Sequence, residues 1–417
     1  MAENLSSAPS RLRVGSFFLI LLLLPAFSLS AFDWGLQLNQ TAEFEGVSSE
    51  DFRAADDFQY SGTLIPWVSA PLDSPKGGHL YLSGGITAEY TDKTWYFMPE
   101  LLRTELTLRA GENGELKLGR IQYTDPLGFV VNGLFDGASF SQNTKIGALG
   151  AGVWYTGLLY KKSAYITMTD DELVSYYEGL DYSDFGNTYF APRRLLFALD
   201  WDNPYVAQML RLKAALIGQF DLSGSKDLYH SQYLSLKASV PVSSFVFDLG
   251  GCLELAESSD ETKISLAGEF GIGWMLPTPI RDRLMLTGRL SSGTVEDSSL
   301  AAFVPITTVS QGDVLQAKLS GLSMIRLDYA ARLHESFSFI IASSYFILSD
   351  LGTYKGLPAG RDGHFLGNEF SGRIIWSPFS DLRFNLGGGV FLPSMGNTES
   401  PDGFLWRVEM SAILTIF

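Results

Sequence analysis

Apolar and polar residues alternate at every second position in segments spread along most of the chain. One face of each segment is apolar and the other is polar or charged, which is the pattern of a β-strand between two different environments. The clearest examples are residues 33–44, 205–220, 245–255, 262–274 and 381–392. In residues 33–44, Gln40 alone interrupts the apolar face.

The first 30 residues have the features of a secretory signal peptide. Arg11 and Arg13 precede the apolar run at 14–27, and the small residues Ser28 and Ser30 follow it. We predict that residues 1–30 are cleaved and that residues 31–417 form one domain. Beyond this run, no stretch approaches the roughly 20 apolar residues that a membrane-spanning helix needs, so any membrane crossing must use strands.

Short and long connections alternate between the predicted strands. Short turns are predicted at 111–114, 202–204, 241–244, 334–336 and 377–381, and long polar loops at 161–192, 221–230, 293–313, 349–364 and 393–403. This order is typical of an up-and-down transmembrane barrel with tight periplasmic turns and large external loops. To preserve the alternation, residues 128–141 are taken as a strand and residues 314–333 as one long strand.

The fold class predicted is all-β: a single antiparallel up-and-down transmembrane β-barrel of about 18 strands. The predicted strands start near residues 33, 56, 79, 95, 114, 128, 145, 193, 205, 230, 245, 262, 283, 314, 337, 365, 381 and 404. The weakest strands are the second, the fourth with its Pro99, and the sixth, so 16 strands is the alternative. A soluble β-sandwich shows the same alternation of residues, but its loops need not alternate in length, and one helix-free domain of this size would be unusual.

The charge and cysteine content exclude several classes of protein. The full chain has 30 basic and 46 acidic side chains, whereas binding to nucleic acid requires a basic footprint. Cys252 is the only cysteine, so no disulfide framework is expected despite export. The four histidines are scattered without a recognised catalytic or metal-binding spacing. No catalytic residue, cofactor site or metal site is therefore predicted, and the chain is not expected to be an enzyme.

The C-terminal segment "WRVEMSAILTIF" ends on Phe417, and with the signal peptide and the strand pattern it resembles the last strand of bacterial outer-membrane β-barrel proteins. Two further stretches, "LKLGRIQYTDPLGFVVNGLFDGASF" at 116–140 and "FLGNEFSGRIIWSPFSDLRFNLGGGVFLP" at 365–393, are similar to porin-like channels, especially the alginate-export and related substrate-selective families. The resemblance implies localisation in the cell outer membrane, contact with its lipid, and recognition by the barrel-insertion machinery with Phe417 as its signal. In a closed barrel this last segment must pair with "DWGLQLNQTAEF" at 33–44.

A barrel of this size is wide enough for an aqueous lumen, so we assign the inward positions from the alternation. The pore-lining candidates are Arg103, Glu105, Arg109, Lys117, Arg211, Lys213, Lys237, Arg283, Arg289, Arg373 and Arg383. The same rule also places Lys263, Arg326, Arg332 and Arg407 inward, and basic positions outnumber acidic ones. Charged rings can set pore selectivity; alternatively, these side chains form cross-strand ion pairs that hold the wall together.

The predicted function is passive diffusion of small hydrophilic solutes through an outer-membrane channel, with an anion-leaning lumen wall. The alternatives are a non-conducting adhesin or structural barrel, and a fatty-acid-type transporter for hydrophobic substrates in which residues 45–78 form a hatch. The acidic loop at 161–192 is expected to be a solvated external loop; the other readings are a constriction, a vestibule lining or a divalent-cation site. Whether the protein is a monomer or an oligomer is left open.

Overall fold

The computed structural model of the chain describes residues 32–47, 57–72, 77–91, 93–177, 179–223, 229–257, 261–295, 298–350, 364–395 and 403–417. The predicted signal peptide at 1–30 lies outside these residues.

The described residues form one antiparallel sheet of 18 strands. The strands are β1 (Asp33–Val47), β2 (Asp57–Pro71), β3 (Gly78–Thr91), β4 (Thr94–Ala110), β5 (Gly114–Thr124), β6 (Asn132–Thr144), β7 (Gly147–Tyr155), β8 (Arg194–Val206), β9 (Leu210–Asp221), β10 (His230–Val242), β11 (Phe245–Glu257), β12 (Thr262–Met275), β13 (Arg283–Ser291), β14 (Leu322–His334), β15 (Phe337–Leu348), β16 (Phe365–Phe379), β17 (Leu382–Leu392) and β18 (Leu405–Ile416). Each strand pairs with its sequence neighbours, which confirms the predicted up-and-down order and the strand number.

The last strand closes the barrel against the first. The β1–β18 register runs from Leu36 opposite Ile416 to Val47 opposite Leu405. β1 pairs with β2 on its other side. The predicted pairing of the two terminal segments is therefore present, and it removes the free sheet edge that hydrocarbon would not tolerate.

Side-chain contacts distinguish the two faces of the wall. Arg407 on β18 forms an ion pair of 2.6 Å with Glu43 on β1. Arg407 also donates to the carbonyl of Asp313 in the 292–321 connection, so this face of the wall is the inner one. Alternate positions on the opposite face carry exposed apolar side chains such as Trp34, Leu236 and Leu249. An apolar outer face is what the lipid-facing side of a transmembrane barrel requires.

The connections differ between the two ends of the barrel. At one end, which also holds the start of β1 and the end of β18, the strands are joined by turns at 111–113, 145–146, 207–209, 243–244, 276–282, 335–336 and 380–381. At the other end lie the longer connections, including 156–193 and 292–321. This separation agrees with the predicted short and long connections.

Three predicted strand starts are wrong, and local backbone geometry explains each. β6 begins at Asn132 rather than 128, because the Asp125 carboxylate accepts backbone N–H groups and holds residues 125–131 in a turn. β9 begins at Leu210 rather than 205, since β8 continues to Val206. β14 begins at Leu322 rather than 314, directly after Gly321, whose φ is +61°.

Two further expectations also need correction. The predicted turn at 202–204 lies within β8, and the chain reverses at 207–209, where Ala207 and Gln208 adopt positive φ. Most of segment 45–78 is wall, because residues 57–71 form β2. The hatch that a fatty-acid-type transporter would need therefore does not exist in the described part of this segment.

Helical structure is confined to connections. The 156–193 connection contains α1 (Asp170–Tyr177), a 3-10 turn (Tyr182–Asp184) and α2 (Phe185–Thr188), and a second 3-10 turn (Pro393–Met395) follows β17. No helix in the described ranges has the length and apolar character needed to cross a membrane.

Candidate functional site

Three connections from the long-loop end turn into the barrel and bind one another there. The backbone N–H of Ile306 donates to the carbonyl of Val130 at 2.8 Å, and Thr308 donates to the carbonyl of Tyr165 at 2.8 Å. We call residues 125–131, 160–169 and 303–321 the interior plug. Their mutual backbone hydrogen bonds make the plug part of the folded structure.

An apolar core fixes the plug against one side of the wall. Phe129, Val130, Phe303 and Ile306 are buried together with wall residues of β5 to β12. Leu127 reaches across to β11, where Gly250 leaves the space that its side chain fills: a Cβ at position 250 would lie 2.2 Å from Leu127 Cδ2. The turn between β5 and β6 thereby contacts a strand on a distant part of the barrel.

The expectation of a solvated loop at 161–192 is wrong for much of that loop. Lys161, Ala164, Ile166 and Ala191 are buried. Arg194, at the start of β8 and 1% exposed, pairs with Glu172 of this connection at 2.6 Å and with Asp221 of β9 at 2.7 Å. These contacts tie the connection to the wall and favour the constriction reading.

The acidic residues of the same connection do not form a metal site in the part that is described. Asp181 accepts a hydrogen bond of 2.8 Å from the backbone N–H of Ser183 and begins the 3-10 turn. The side chains of Asp170 and Asp171, and residue Glu178, fall outside the described structure. Within the described residues, no three metal-binding side chains come together.

Side chains cap an unpaired edge of β4. Pairing between β4 and β5 ends at Thr104 opposite Arg120, although β4 continues to Thr94. Beyond this point Arg120 donates to the carbonyl of Leu101, the Tyr189 hydroxyl donates to the carbonyl of Pro99, and the Tyr182 hydroxyl donates to the carbonyl of Phe97. The three carbonyls, two residues apart, thus have partners without a neighbouring strand.

The tip of the plug meets an arginine cluster on the opposite wall. Arg326 on β14 lies 2.9 Å from the Asp313 carboxylate, and Arg407 on β18 donates to the Asp313 carbonyl at 3.2 Å. Arg373 on β16 lines the same cavity of about 80 Å³. We call Arg326, Arg373 and Arg407 the arginine cluster.

A buried carboxylate holds the plug tip in this position. Glu369 on β16 is fully buried and accepts the backbone N–H groups of Asp313, Val314 and Leu315 at 2.7, 3.0 and 2.9 Å. Burial raises the pKa of Asp313, but the Ser371 hydrogen bond and the neighbouring Arg326 outweigh it and leave the pKa below its ordinary value. Asp313 therefore remains a carboxylate beside the cluster.

Most of the basic residues among the eleven pore-lining candidates form ion pairs. Glu105 contacts both Arg103 and Lys117. Arg211 and Lys213 approach Asp202, and Lys237 and Arg289 share Glu269. Arg103 and Glu105 both lie on β4, whereas the other pairs are the cross-strand ion pairs that the alternative interpretation predicts. Among the described residues, the candidates without an ion pair are Arg109, Arg283, Arg373 and Arg383.

Asp313 was not predicted from the sequence. It lies in a connection, where no alternation of apolar and polar residues indicates whether a side chain faces the lumen. Gly387 lies opposite Arg373, and a Cβ there would make only ordinary contact, 3.4 Å from Arg373 Nε.

Solved structures with a similar fold come from Pseudomonas aeruginosa. OccK2 (OpdF) superposes with a TM-score of 0.61 at 14% identity, over 93% of this chain and 98% of that one. OccK2 in complex with glucuronate gives 0.60 at 15% identity, over 94% and 100%. The outer membrane protein OpdK gives 0.54 at 13% identity, over 92% and 99%.

No protein-family model and no curated protein matches the chain. The similarity to the solved structures shows the fold: an outer-membrane, porin-like β-barrel. The resemblance inferred from the sequence is confirmed at this level, and the predicted location in the outer membrane agrees with the fold.

Proposed function

We propose that this protein is an outer-membrane channel for passive diffusion of small hydrophilic solutes, with a preference for anions. The observation that carries the proposal is the arginine cluster beside the plug tip. Three guanidinium groups share one cavity, and Arg373 has no ion-pair partner within the described residues. Arginine presents a planar set of donors that suits carboxylate and phosphate groups.

The position of the cluster gives it access to a passing solute. The apolar core of the plug packs against β5 to β12, whereas its tip approaches β14, β16 and β18. A solute moving between the plug tip and this wall meets Arg373, which is exposed. Charged side chains at a constriction set selectivity more strongly than the same charges in a wide lumen.

A structural neighbour supports the solute class. OccK2 (OpdF) has been solved in complex with glucuronate, a sugar that carries one carboxylate. A small hydroxylated carboxylate of this kind would pair with a free guanidinium while its hydroxyl groups remain hydrated. We therefore favour small organic anions over inorganic cations.

The proposal includes the partners inferred from the sequence. The apolar outer belt contacts outer-membrane lipid, and the barrel-insertion machinery recognises β18 with Phe417 as its signal. Catalysis, nucleic acid and cofactors have no part in this function.

Conductance of the purified protein in planar lipid bilayers tests the proposal. We expect defined channel openings and, under a potassium chloride gradient, a reversal potential on the anion-selective side. A cation-selective reversal potential would contradict the role of the arginine cluster. Absence of openings, with the protein folded, would instead support a non-conducting adhesin or structural barrel.

A further inference from the structure

Two aromatic side chains near the short-turn end of the barrel face the lumen. Glu43 lies on the inner face of β1, and Gly35, eight positions earlier, shares that face. Trp67 on β2 lies directly opposite Gly35, and side chains directly opposite on neighbouring strands share a face. Tyr81 on β3 lies opposite Ser69, two positions after Trp67. Trp67 and Tyr81 therefore both belong to the inner wall.

The two rings lie nearly parallel along this wall. A Cβ at Gly35 would lie 2.5 Å from Trp67 Cζ2, so the indole extends across β1 at a position where glycine leaves the space open. The Tyr81 ring is inclined to the indole by 16°, with 6.2 Å between the ring centroids. The Phe417 ring stands edge-on to Trp67, with centroids 6.0 Å apart. We call Trp67, Tyr81 and Phe417 the aromatic platform.

The usual roles of aromatic residues in a barrel do not account for the aromatic platform. Aromatic belts at the membrane interfaces lie on the lipid-facing side, whereas Trp67 and Tyr81 lie on the inner face. The platform is also separate from the buried apolar clusters of the described structure. Trp67 and Tyr81 are partly exposed and Phe417 is 83% exposed, so a solute at this end of the lumen can touch the rings.

Polar side chains border the aromatic platform. The Arg103 guanidinium lies over the Tyr81 ring, 5.2 Å from its centroid, and pairs with Glu105 at 2.6 Å. Ser69 Oγ and His79 Nε2 lie 2.9 Å apart on the same two strands as the parallel rings. Arg103 and His79 are exposed. The rings are thus flanked by groups that donate hydrogen bonds and by groups that accept them.

We propose that the aromatic platform binds a hydroxylated six-membered ring of the kind found in sugars. Such a ring has faces that carry C–H groups and an edge that carries hydroxyl groups. The negative face of an aromatic ring attracts partly positive C–H groups, while hydroxyl groups both donate and accept hydrogen bonds and so suit the mixed polar border. An aromatic solute would also stack here, but it would make no use of that border.

The aromatic platform is distinct from the arginine cluster. On β18, Phe417 follows Arg407 by ten residues, a distance of about 33 Å along the strand at roughly 3.3 Å per residue. The inference rests on the proposed function, because a solute that leaves the arginine cluster reaches the platform through the lumen. It adds a second binding site and a ring requirement for the solute.

Block of the ionic current in planar bilayers tests the ring requirement. Methyl glucoside should reduce the current of the wild type with saturation, whereas sorbitol, which has hydroxyl groups but no ring, should not. Trp67→Leu keeps an apolar side chain without a planar face, and its half-blocking concentration should rise about three- to tenfold, as expected for the loss of one stacked ring. Trp67→Phe restores a ring and should stay within about twofold of the wild type. Equal half-blocking concentrations for Trp67→Leu and the wild type, or saturable block by sorbitol, would overturn the proposal.

Saturation-transfer difference NMR on the detergent-purified protein tests binding without conduction. Methyl glucoside should receive magnetisation from the wild type and from Trp376→Leu, which changes an exposed tryptophan on the outer face of β16, but much less from Trp67→Leu. Heat-modified gel migration checks that each variant is folded. A protein that conducts but shows no transfer refutes this inference and leaves the proposed function intact. Transfer in a protein that does not conduct supports the platform and refutes the proposed function instead.

Discussion

The hydroxyl of Tyr189 donates a hydrogen bond of 2.7 Å to the carbonyl of Pro99, on the edge of β4 that β5 does not reach. Tyr189 is buried at this contact. A side chain of the 156–193 connection therefore supplies the hydrogen-bond donor that a neighbouring strand would otherwise provide. Because this hydrogen bond joins them, we expect the 156–193 connection and the unpaired edge of β4 to stabilise each other.

Tyr189→Phe should loosen the 156–193 connection without unfolding the barrel. Loss of the hydroxyl leaves the partly buried Pro99 carbonyl without its donor, at a cost of about 0.5–1.5 kcal/mol. Local opening should rise accordingly, and limited proteolysis of the folded protein should cut this connection roughly two- to tenfold faster. Tyr177→Phe is the control, since Tyr177 is exposed and its hydroxyl makes no hydrogen bond among the described residues. Equal cleavage of both variants would contradict the capping role.

Glu369→Gln should release the plug tip. The carboxylate accepts three backbone N–H groups, and hydrogen bonds to charged groups contribute roughly 1.5–3 kcal/mol each. The amide retains one acceptor oxygen, so residues 313–315 lose part of their attachment. Single-channel recordings should show more frequent current fluctuations than the wild type. Glu115→Gln changes the same charge at the start of β5, at the short-turn end of the barrel and away from residues 313–315, and should keep a quiet current.

Arg373→Ala should reduce anion preference. Arg373 is the member of the arginine cluster without an ion pair in the described structure, so its charge is available to a solute. We expect the anion-to-cation permeability ratio to fall by roughly twofold or more, because the charge lies at a constriction. Arg383→Ala removes another unpaired arginine from the same wall, nearer the short-turn end. If Arg383→Ala shifts the reversal potential as much as Arg373→Ala, selectivity does not arise at the plug tip.

The pH dependence of selectivity should report Asp313. Its pKa is below the ordinary value of an aspartate, so it stays ionised at neutral pH and is protonated only as the pH falls through that lowered pKa. Its stabilising contribution has the same sign: present above the ordinary pKa and lost as pH falls through the lowered one. Asp313→Asn should therefore be more anion-selective than the wild type at pH 7, and the difference should disappear only in strong acid, below about pH 4. A difference that vanishes at pH 5 to 6 would show that the carboxylate is not held in its charged form.

Gly250→Ala tests the distant contact of the plug. The new Cβ would lie 2.2 Å from Leu127 Cδ2, so the Leu127 side chain must move. Overpacking of this kind costs about 1–3 kcal/mol, and the thermal unfolding temperature should fall. Gly251→Ala is a matched control on the opposite face of β11, where the nearest atom is 3.9 Å away. Equal unfolding temperatures for the two variants would mean that Leu127 adapts without loss.

The strands of the wall could be predicted from the sequence because the alternation of apolar and polar residues depends only on each strand's own sequence. Alternation at period two assigns each strand residue to one face, and the strand registers keep this alternation. Loop length then settles the strand number. Where a connection is itself apolar, as at 128–131, the same rule mistakes a turn for a strand.

The interior plug could not be predicted in this way, because the residues that it contacts are distant from it in the sequence. Leu127 needs the space at Gly250, and Asp313 needs Ser371, Arg326 and Arg407. Polar character alone does not distinguish a connection that enters the lumen from one that stays in solvent. The acidic residues of 161–192 predicted a solvent-exposed loop. In the structure, Glu172 of this loop pairs with the buried Arg194.

The β1–β18 pairing has a consequence for folding kinetics. Every other strand pairing joins neighbours in sequence, so each can form as an antiparallel hairpin once its own residues are available. The β1–β18 register joins the two most distant strands, and its loop-closure entropy is the largest in the barrel. We expect this seam to form last, so a substitution confined to it should slow barrel closure while leaving the rate of hairpin formation unchanged.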